Sequence, residues 1–118
     1  MSTTVLIVDD HPSCRASARL LLESEGFEVV GEAVDGGSAI EQTTSLAPDV
    51  ILLDVQLPDI DGFEVASRLA DGDGAPAVIL MSSHDSRDFG SLVEDSAARG
   101  FVAKADLSGE SLRALLDG

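Results

Sequence analysis

The sequence predicts an α/β fold in which a parallel five-stranded sheet carries helices on both faces. Short β-branched apolar runs alternate with longer stretches of helical periodicity along the whole chain, which is typical of strands that alternate with helices. One run, residues 50–53, contains no polar residue, as expected of a strand buried on both faces of a parallel sheet. The length of 118 residues suits one domain, which we assign to residues 1–118.

Five strands are predicted from the apolar runs. Polar residues follow several of them: Asp9 and Asp10 follow the first, Asp54 the third, and Ser82 with Ser83 the fourth. The predicted strands are residues 5–8, 27–31, 50–53, 77–81 and 101–103.

Five helices are predicted from apolar residues spaced three and four apart and from helix-start signals. Pro12 suits a first helical turn, and Asp61 with Glu64 three positions later is a capping signal. Ser108 can cap the last helix, whereas Gly90 lowers the expected stability of the fourth. The predicted helices are residues 12–25, a stretch from the break at Gly36-Gly37 to about residue 48, and residues 61–69, 87–98 and 108–116, with a loop at residues 71–74.

Composition and charge exclude several classes of function. The net charge of −15 repels phosphate backbones, so we expect no direct contact with DNA or RNA. The single cysteine, Cys14, cannot form an internal disulfide, and its place on the apolar face of the first helix indicates a small core residue. No signal segment or bilayer-length apolar run is present, so we expect a soluble, cytoplasmic protein without membrane contact.

Side chains suited to a cation and a phosphate follow four predicted strands: Asp9, Asp10, Asp54, Ser82 and Lys104. The carboxyl ends of parallel strands meet at one edge of the sheet, where ligands of such folds bind. Three crowded carboxylates repel one another, and hard oxygen ligands of this kind suit Mg²⁺. Three carboxylates, one Mg²⁺ and one ammonium would together be neutral, so the loaded site could admit a phosphate.

Asp54 could then act as a nucleophile that forms an aspartyl phosphate, with Lys104 holding phosphoryl oxygens and Ser82 donating a hydrogen bond. Each residue alone is weak evidence, because an Asp-Asp pair after a strand is more often a turn and Lys104 alone would be a solvated charge. His11 and His84 lack a paired metal-ligand spacing, and we interpret both as surface residues. The prediction rests on the agreement of four strand ends.

Along its entire length, the sequence resembles the receiver domains of two-component response regulators. The resemblance implies a flavodoxin-like (βα)5 three-layer sandwich with strand order 2-1-3-4-5, an order that the sequence pattern does not itself derive. The residues that carry the resemblance are 5–10, 52–58, Asp61-Gly62, Ser82-Ser83 and 100–104.

The resemblance also implies roles for individual residues. Asp54 would be the phosphoacceptor. Mg²⁺, or Mn²⁺ as an alternative, would be held by Asp10 directly, by Asp9 nearby through water, by Asp54, and by the backbone carbonyl of Gln56.

Three further residues would respond to the phosphoryl group. Ser82 matches the hydroxyl that moves toward the phosphate, Lys104 the lysine of the motif, and Phe101 an aromatic residue whose rotamer changes on activation. The donor would be a phosphohistidine of a sensor histidine kinase or a phosphotransfer protein. The signal would pass through the face formed by the fourth helix, the fifth strand and the last helix, to an unidentified output protein or a second copy.

The chain departs from the receiver pattern at several positions. Ala105 stands where many receivers have proline, Ser83 is bulkier than the usual residue, and Gln56 and His84 flank the phosphate site. Residues 9–12 and 30–33 resemble the subfamily that usually bears a C-terminal helix-turn-helix, so we expect either a stand-alone receiver or the front part of a longer regulator.

Three alternatives remain at this point. A phosphohydrolase of the haloacid-dehalogenase type expects a second aspartate where this chain has Gln56. A flavin-binding relative of the fold needs a first loop rich in N–H donors, whereas residues 9–12 are acidic and include Pro12. A receiver that is never phosphorylated would serve only as an interaction module. We expect a self-phosphorylating and self-dephosphorylating signalling domain, and not an enzyme that turns over a separate substrate.

Overall fold

The computed structural model describes residues 3–70, 75–83 and 95–117. Within these ranges the five strands form one sheet in the order β2-β1-β3-β4-β5, and every neighbouring pair is parallel. The predicted fold class and strand order are therefore confirmed. The strands are β1 (Thr4–Val8), β2 (Glu28–Ala33), β3 (Val50–Asp54), β4 (Ala77–Ser82) and β5 (Gly100–Ala103).

Helices occupy both faces of the sheet. They are α1 (Pro12–Ser24), α2 (Gly36–Leu46), α3 (Gly62–Leu69) and the C-terminal helix (Gly109–Asp117), and a single 3₁₀ turn (Lys104–Asp106) follows β5. That 3₁₀ turn was not predicted.

The helix predicted over residues 87–98 falls mostly outside the described ranges, as do Gly90, His84 and the loop at residues 71–74. Its predicted end at Ala98 is wrong, because Asp95 is helical but Ser96 and the residues up to Arg99 are not. The N–H of Ala98 donates to the Ser96 hydroxyl at 3.3 Å, a local bond that competes with continuation of a helix.

Alternation along the buried strands builds two apolar cores, one on each face. Val5 and Ile7 of β1 point to the face covered by α1 and the C-terminal helix, where Leu22 and Leu112 are buried with them. Leu6 and Val8 point to the opposite core, with residues of α2 and α3. Because both faces are covered, the central strands read as continuous apolar runs. This packing confirms the inference drawn from residues 50–53.

The predicted end of β2 and the predicted start of α2 are wrong, and both lie at glycines. Strand β2 does not end at Gly31 but continues to Ala33, which pairs with Val8 of β1. A Cβ at Gly31 would lie 2.8 Å from Gln42 Oε1 and 2.8 Å from Leu46 Cδ1, so this glycine permits close packing of α2 and does not end the strand.

Helix α2 begins at Gly36, so the pair Gly36-Gly37 forms its first turn and is not a break before it. Asp35 is the N-cap: its carboxylate accepts the Ser38 N–H at 2.8 Å, and the Ser38 hydroxyl accepts the Asp35 N–H at 3.4 Å. This reciprocal pair is a capping box that the sequence prediction overlooked.

The two predicted caps are confirmed. The Asp61 carboxylate accepts the Glu64 N–H at 2.8 Å, which starts α3. The Ser108 hydroxyl accepts a hydrogen bond from the Ser111 N–H at 3.0 Å, and the Ser111 hydroxyl accepts one from the Ser108 N–H at 2.9 Å. Each cap satisfies N–H groups that the first helical turn leaves without partners.

Three remaining points concern Cys14, the peptide bond after Lys104 and helices long enough to cross a membrane. Cys14 is only half-buried and lines a cavity, so its assignment as a core residue is wrong; the residues that α1 buries completely are Ala18 and Leu22. The peptide bond between Lys104 and Ala105 is trans. Across the described ranges, no helix combines the length and apolar character that crossing a bilayer requires.

Candidate functional site

Asp9 lies directly after β1 at the carboxyl edge of the sheet, and its side chain is fully buried. Its Oδ1 accepts the backbone N–H of His11 at 2.9 Å, and its Oδ2 accepts the Lys104 ammonium at 2.7 Å. Burial acts to raise the pKa of Asp9, but the bonds from Lys104 and His11 outweigh it and hold the pKa below its ordinary value. Asp9 is therefore an ionised, fixed carboxylate.

Asp54 is the last residue of β3, in the centre of the sheet, and only 4% of its surface is exposed. Its Oδ1 accepts the Gln56 N–H at 3.1 Å, and its Oδ2 accepts the Lys104 ammonium at 3.1 Å. Burial raises the pKa of Asp54 above its ordinary value, and the bonds from Gln56 and Lys104 offset that rise only in part. Of the two buried carboxylates, Asp54 is the one whose charge is less well compensated.

Lys104 joins the two carboxylates from the far end of the chain. It is the first residue of the 3₁₀ turn after β5, and 19% of its side chain is exposed. Burial acts to lower the pKa of Lys104, but the hydrogen bonds to Asp9 and Asp54 and their charges raise it above the ordinary value. The ammonium therefore stays protonated between two strand ends.

Asp10 and Gln56 are the two predicted metal ligands that are exposed. Asp10 is exposed, and its carboxylate can join those of Asp9 and Asp54 and the His11 ring in a group whose ligand atoms all lie within 4.8 Å of one another. Gln56 is exposed and contacts Asp54 through its N–H. The structure brings the three predicted carboxylates together, whereas the ligand role of the Gln56 carbonyl stays a prediction.

Ser82 and Phe101 are placed by the last two strands. Ser82 is buried at the end of β4 and pairs with Ala103 of β5, immediately before Lys104. Phe101, on β5, is half-buried and packs against the core on the α2 and α3 face. Ser82 therefore lies at the same edge of the sheet as Asp54. Phe101 lies further back along β5, on the side of the sheet that α2 and α3 cover.

His11 is exposed, as the sequence analysis expected, but its contact with the acidic site was not predicted. Its side chain is 63% exposed, but Nδ1 lies 3.1 Å from Asp9 Oδ1 and 3.1 Å from Asp10 Oδ1. Its position directly after the Asp9-Asp10 pair was the available signal.

Arg15 was also missed, because its partners are distant in the chain. Its guanidinium donates to the backbone carbonyl of Asp9 at 2.7 Å and to the Glu32 carboxylate of β2 at 3.2 Å. Arg19, one turn later, also binds Glu32, at 2.7 Å. Together these bonds fix the backbone of the loop that carries the acidic pair.

Asp59 is another residue that the sequence analysis missed. Its carboxylate accepts the N–H groups of Gly36 at 2.8 Å and Gly37 at 2.9 Å, at the start of α2. Those backbone donors lower the pKa of Asp59. The loop between β3 and α3, which includes Gln56, is thereby tied to a neighbouring helix.

Buried carboxylates at two strand ends, with a lysine shared between them, match a known family. The family model described as "Response regulator receiver domain" matches residues 5–117. The chain belongs to this family.

Several proteins are similar to this receiver domain. The DNA-binding transcriptional activator EvgA of Escherichia coli strain K12 is 33% identical over 101 residues, which cover 86% of this chain and 50% of EvgA. The solved signal receiver domain assigned to NarL of Mycobacterium tuberculosis has a TM-score of 0.85 at 36% identity, covering 98% of this chain and 94% of that one. A two-component response regulator of the LuxR family from Aurantimonas sp. SI85-9A1 has a TM-score of 0.87 at 30% identity, covering 99% and 84%.

The receiver domain spans about half the length of the curated relatives it matches. Those relatives are named as regulators of transcription. Membership of the receiver family identifies the chain as a signalling domain and disfavours the phosphohydrolase and flavin-binding alternatives.

Proposed function

We propose that this receiver domain takes a phosphoryl group from a phosphohistidine of a sensor histidine kinase or phosphotransfer protein onto Asp54. One observation carries the proposal. The Lys104 ammonium lies 2.7 Å from Asp9 Oδ2 and 3.1 Å from Asp54 Oδ2, so a cationic donor and two buried carboxylates surround one point at the sheet edge. A phosphoryl oxygen on Asp54 would lie within reach of the same ammonium.

The residues present fit a divalent cation bound by oxygen. Asp9, Asp10 and Asp54 bring carboxylate oxygens within 4.8 Å of one another, and Asp10 is open to solvent, as suits an ion that keeps several waters. We assign Mg²⁺, or Mn²⁺, to these three carboxylates and to the backbone carbonyl of Gln56. When bound, the ion supplies positive charge to the phosphoryl oxygens.

The transfer would be a displacement at the phosphorus atom. An Asp54 carboxylate oxygen forms the new P–O bond while the P–N bond of the phosphohistidine breaks, and its electron pair stays on the imidazole nitrogen. Lys104 holds the phosphoryl charge, and Asp9 keeps Lys104 in position through the 2.7 Å bond. The product is an acyl phosphate on the central strand.

Phosphorylation would change the surface around β5. The phosphoryl group carries about two negative charges, and Lys104 would exchange its bond with Asp54 for a bond with a phosphoryl oxygen. Ser82, at the end of β4, would donate its hydroxyl to the phosphate, and Phe101 would change rotamer. The face formed by the predicted fourth helix, β5 and the C-terminal helix would then bind an output protein or a second copy of the receiver.

The domain would act in the cytoplasm, and residues 1–118 would make no direct contact with nucleic acid. The net charge of −15 opposes contact with a phosphate backbone. DNA binding is named for the relative EvgA, and the matched region covers 50% of EvgA.

Mass spectrometry after incubation with acetyl phosphate and Mg²⁺ tests the acceptor. Wild type should gain one phosphoryl group, and Asp54→Asn should gain none, because the amide is not a nucleophile. Asp61→Asn is the matched control, since Asn also caps a helix and Asp61 lies outside the acidic cluster. Equal labelling of wild type and Asp54→Asn would show that Asp54 is not the acceptor.

A further inference from the structure

A second cluster of ligand-type side chains lies beside the acidic site. Asp9, His11 and Cys14 can present a carboxylate oxygen, an imidazole nitrogen and a thiol sulfur that all lie within 4.8 Å of one another. The chain places them there by local geometry, because His11 is the N-cap of α1 and Cys14 follows it by three positions, one helical turn later.

The two oxygens of Asp9 serve different neighbours. Oδ2 contacts Lys104 at 2.7 Å, toward Asp54. Oδ1 lies 3.1 Å from His11 Nδ1, toward the start of α1. Asp9 therefore stands between the acidic site and the His11–Cys14 pair.

The thiol is accessible from a cavity. A pocket of about 320 Å³ is lined by Asp9, Ser13, Cys14, Ser17, Lys104 and Leu107, among others, so an ion and its water have a route to both Cys14 and Asp9. His11 is 63% exposed and its ring can turn without displacing core residues. Cys14 lines the cavity and His11 is exposed, so the core encloses neither side chain completely.

We propose that Asp9, His11 and Cys14 form a binding site for a thiophilic divalent cation of the Zn²⁺ class. A set of one nitrogen, one sulfur and one oxygen ligand suits Zn²⁺, whereas Mg²⁺ takes oxygen ligands. Three protein ligands plus water complete a tetrahedral shell.

The distances permit this shell after a small adjustment. Zn²⁺ bonds of about 2.0–2.3 Å place tetrahedral ligand atoms roughly 3.3–3.8 Å apart. The separation of 3.1 Å between Asp9 Oδ1 and His11 Nδ1 is already near that range. The sulfur must close from within 4.8 Å by about one ångström, which a rotation about the Cα–Cβ bond of Cys14 can supply. The thiol proton leaves to solvent as the metal–sulfur bond forms.

The site would antagonise the proposed phosphoryl transfer, a consequence that rests on the proposed function. A cation held through Asp9 Oδ1 competes for the carboxylate that the Mg²⁺ site and Lys104 share. Zn²⁺ would then inhibit phosphorylation at concentrations where Mg²⁺ supports it. The binding site itself does not depend on that consequence.

Co²⁺ is a suitable probe because a cobalt–thiolate bond gives a charge-transfer absorption that oxygen ligands do not. Cys14 is the single cysteine of the chain, so any such band reports this thiol alone. Wild type titrated with Co²⁺ in buffer without Mg²⁺ should show the band at one equivalent, and Zn²⁺ should abolish it by displacement.

Variants at single positions test which side chains bind the metal ion. Cys14→Ser should lose the band, and His11→Gln should weaken Co²⁺ and Zn²⁺ binding by roughly tenfold or more, since loss even of outer-shell partners costs 10- to 100-fold. Asp61→Asn should retain the band, because Asp61 belongs to neither group of ligand-type side chains and Asn also caps a helix. His84→Gln replaces the other histidine of the sequence and should also retain it.

Circular dichroism confirms that each variant is folded before titration. Absence of a thiolate band in folded wild type would overturn the proposal. So would a band that Asp61→Asn or His84→Gln abolishes while His11→Gln leaves it unchanged. Because the readout is metal binding and not phosphorylation, an inactive Asp54 would leave this result intact.

Discussion

At the scale of single residues, the site is built on an asymmetry between two buried aspartates that share one lysine. Asp9 has a lowered pKa because Lys104 and His11 N–H bonds outweigh its burial, whereas burial keeps the pKa of Asp54 raised. An ionised Asp54 therefore lowers the free energy of unfolding, whereas an ionised Asp9 raises it. The residue proposed to react is the one of these two aspartates whose negative charge is less well compensated.

This asymmetry predicts that Asp54→Asn is more stable than wild type at neutral pH in metal-free buffer. A carboxyl whose folded pKa is raised contributes stability that is present below its unfolded pKa, about 3.9, and lost as pH rises through the folded value. Asn removes that loss, and Lys104 keeps its bond to Asp9. Thermal unfolding from pH 3 to 7 should show the melting temperatures diverge in favour of Asp54→Asn as pH rises.

Asp9→Asn is the matched control, with the opposite sign expected. Its lowered pKa means that stability is present above the unfolded pKa and lost as pH falls through the folded value, so the variant should be less stable than wild type at neutral pH. Two variants shifted in the same direction would show that the assigned difference between Asp9 and Asp54 is incorrect.

At the scale of secondary-structure elements, the start of α3 fixes the backbone beneath the acceptor. Gly62 is buried, and its N–H donates to the Val55 carbonyl at 2.7 Å. A Cβ at this position would lie 2.5 Å from the Asp54 carbonyl oxygen and 2.8 Å from Val55 Cα. Both are backbone atoms that cannot move aside as a side chain would, so glycine is needed for this close approach.

Gly62→Ala should therefore destabilise the domain by about 1–3 kcal/mol and lower phosphorylation of Asp54, since the strand end must shift. Gly37→Ala is the control, because it also lies in a first helical turn but its Cβ would be 3.5 Å from the nearest atom, Asp59 Oδ2. It should be neutral or stabilising by up to about 1 kcal/mol. Urea unfolding gives both free energies, and similar values for the two variants would contradict the role assigned to Gly62.

At the scale of the whole molecule, the net charge of −15 and the acidic sheet edge both respond to cations, in separable ways. Monovalent salt screens the overall repulsion and should raise stability without using a site. A bound divalent ion adds a term that depends on its own concentration.

At equal ionic strength, Mg²⁺ should raise the melting temperature more than NaCl does, by a stabilisation of about 2.7 kcal/mol when free Mg²⁺ is about 100 times its Kd. Asp10→Asn should lose much of the Mg²⁺-specific increment and keep the NaCl response, since Asp10 is an exposed member of the cluster. Differential scanning calorimetry measures both. If Mg²⁺ and NaCl act alike on wild type, the cation site is absent.

The sequence by itself determined the sheet and the edge at which the site lies. Apolar runs of five or so residues alternating with helical periodicity leave few arrangements other than a parallel sheet, and parallel strands align their carboxyl ends. That physical constraint was enough to predict that Asp9, Asp54 and Lys104 meet, although Lys104 is 95 positions from Asp9. Local caps at Asp61 and Ser108 were also readable, because their partners lie three residues away.

Only the tertiary structure decided contacts between elements that share no sequence period. Asp59 binding the start of α2, and Arg15 bridging Glu32 to the Asp9 carbonyl, join residues 6 to 23 positions apart on separate elements. Gly31 was predicted to end a strand, because the sequence does not distinguish a glycine that ends a strand from one that lets a helix pack closely. Cys14 and His11 read as unrelated residues, since helix phase alone does not show that Asp9 faces both. Packing between elements, which is set by side-chain volume in three dimensions, fixed these features.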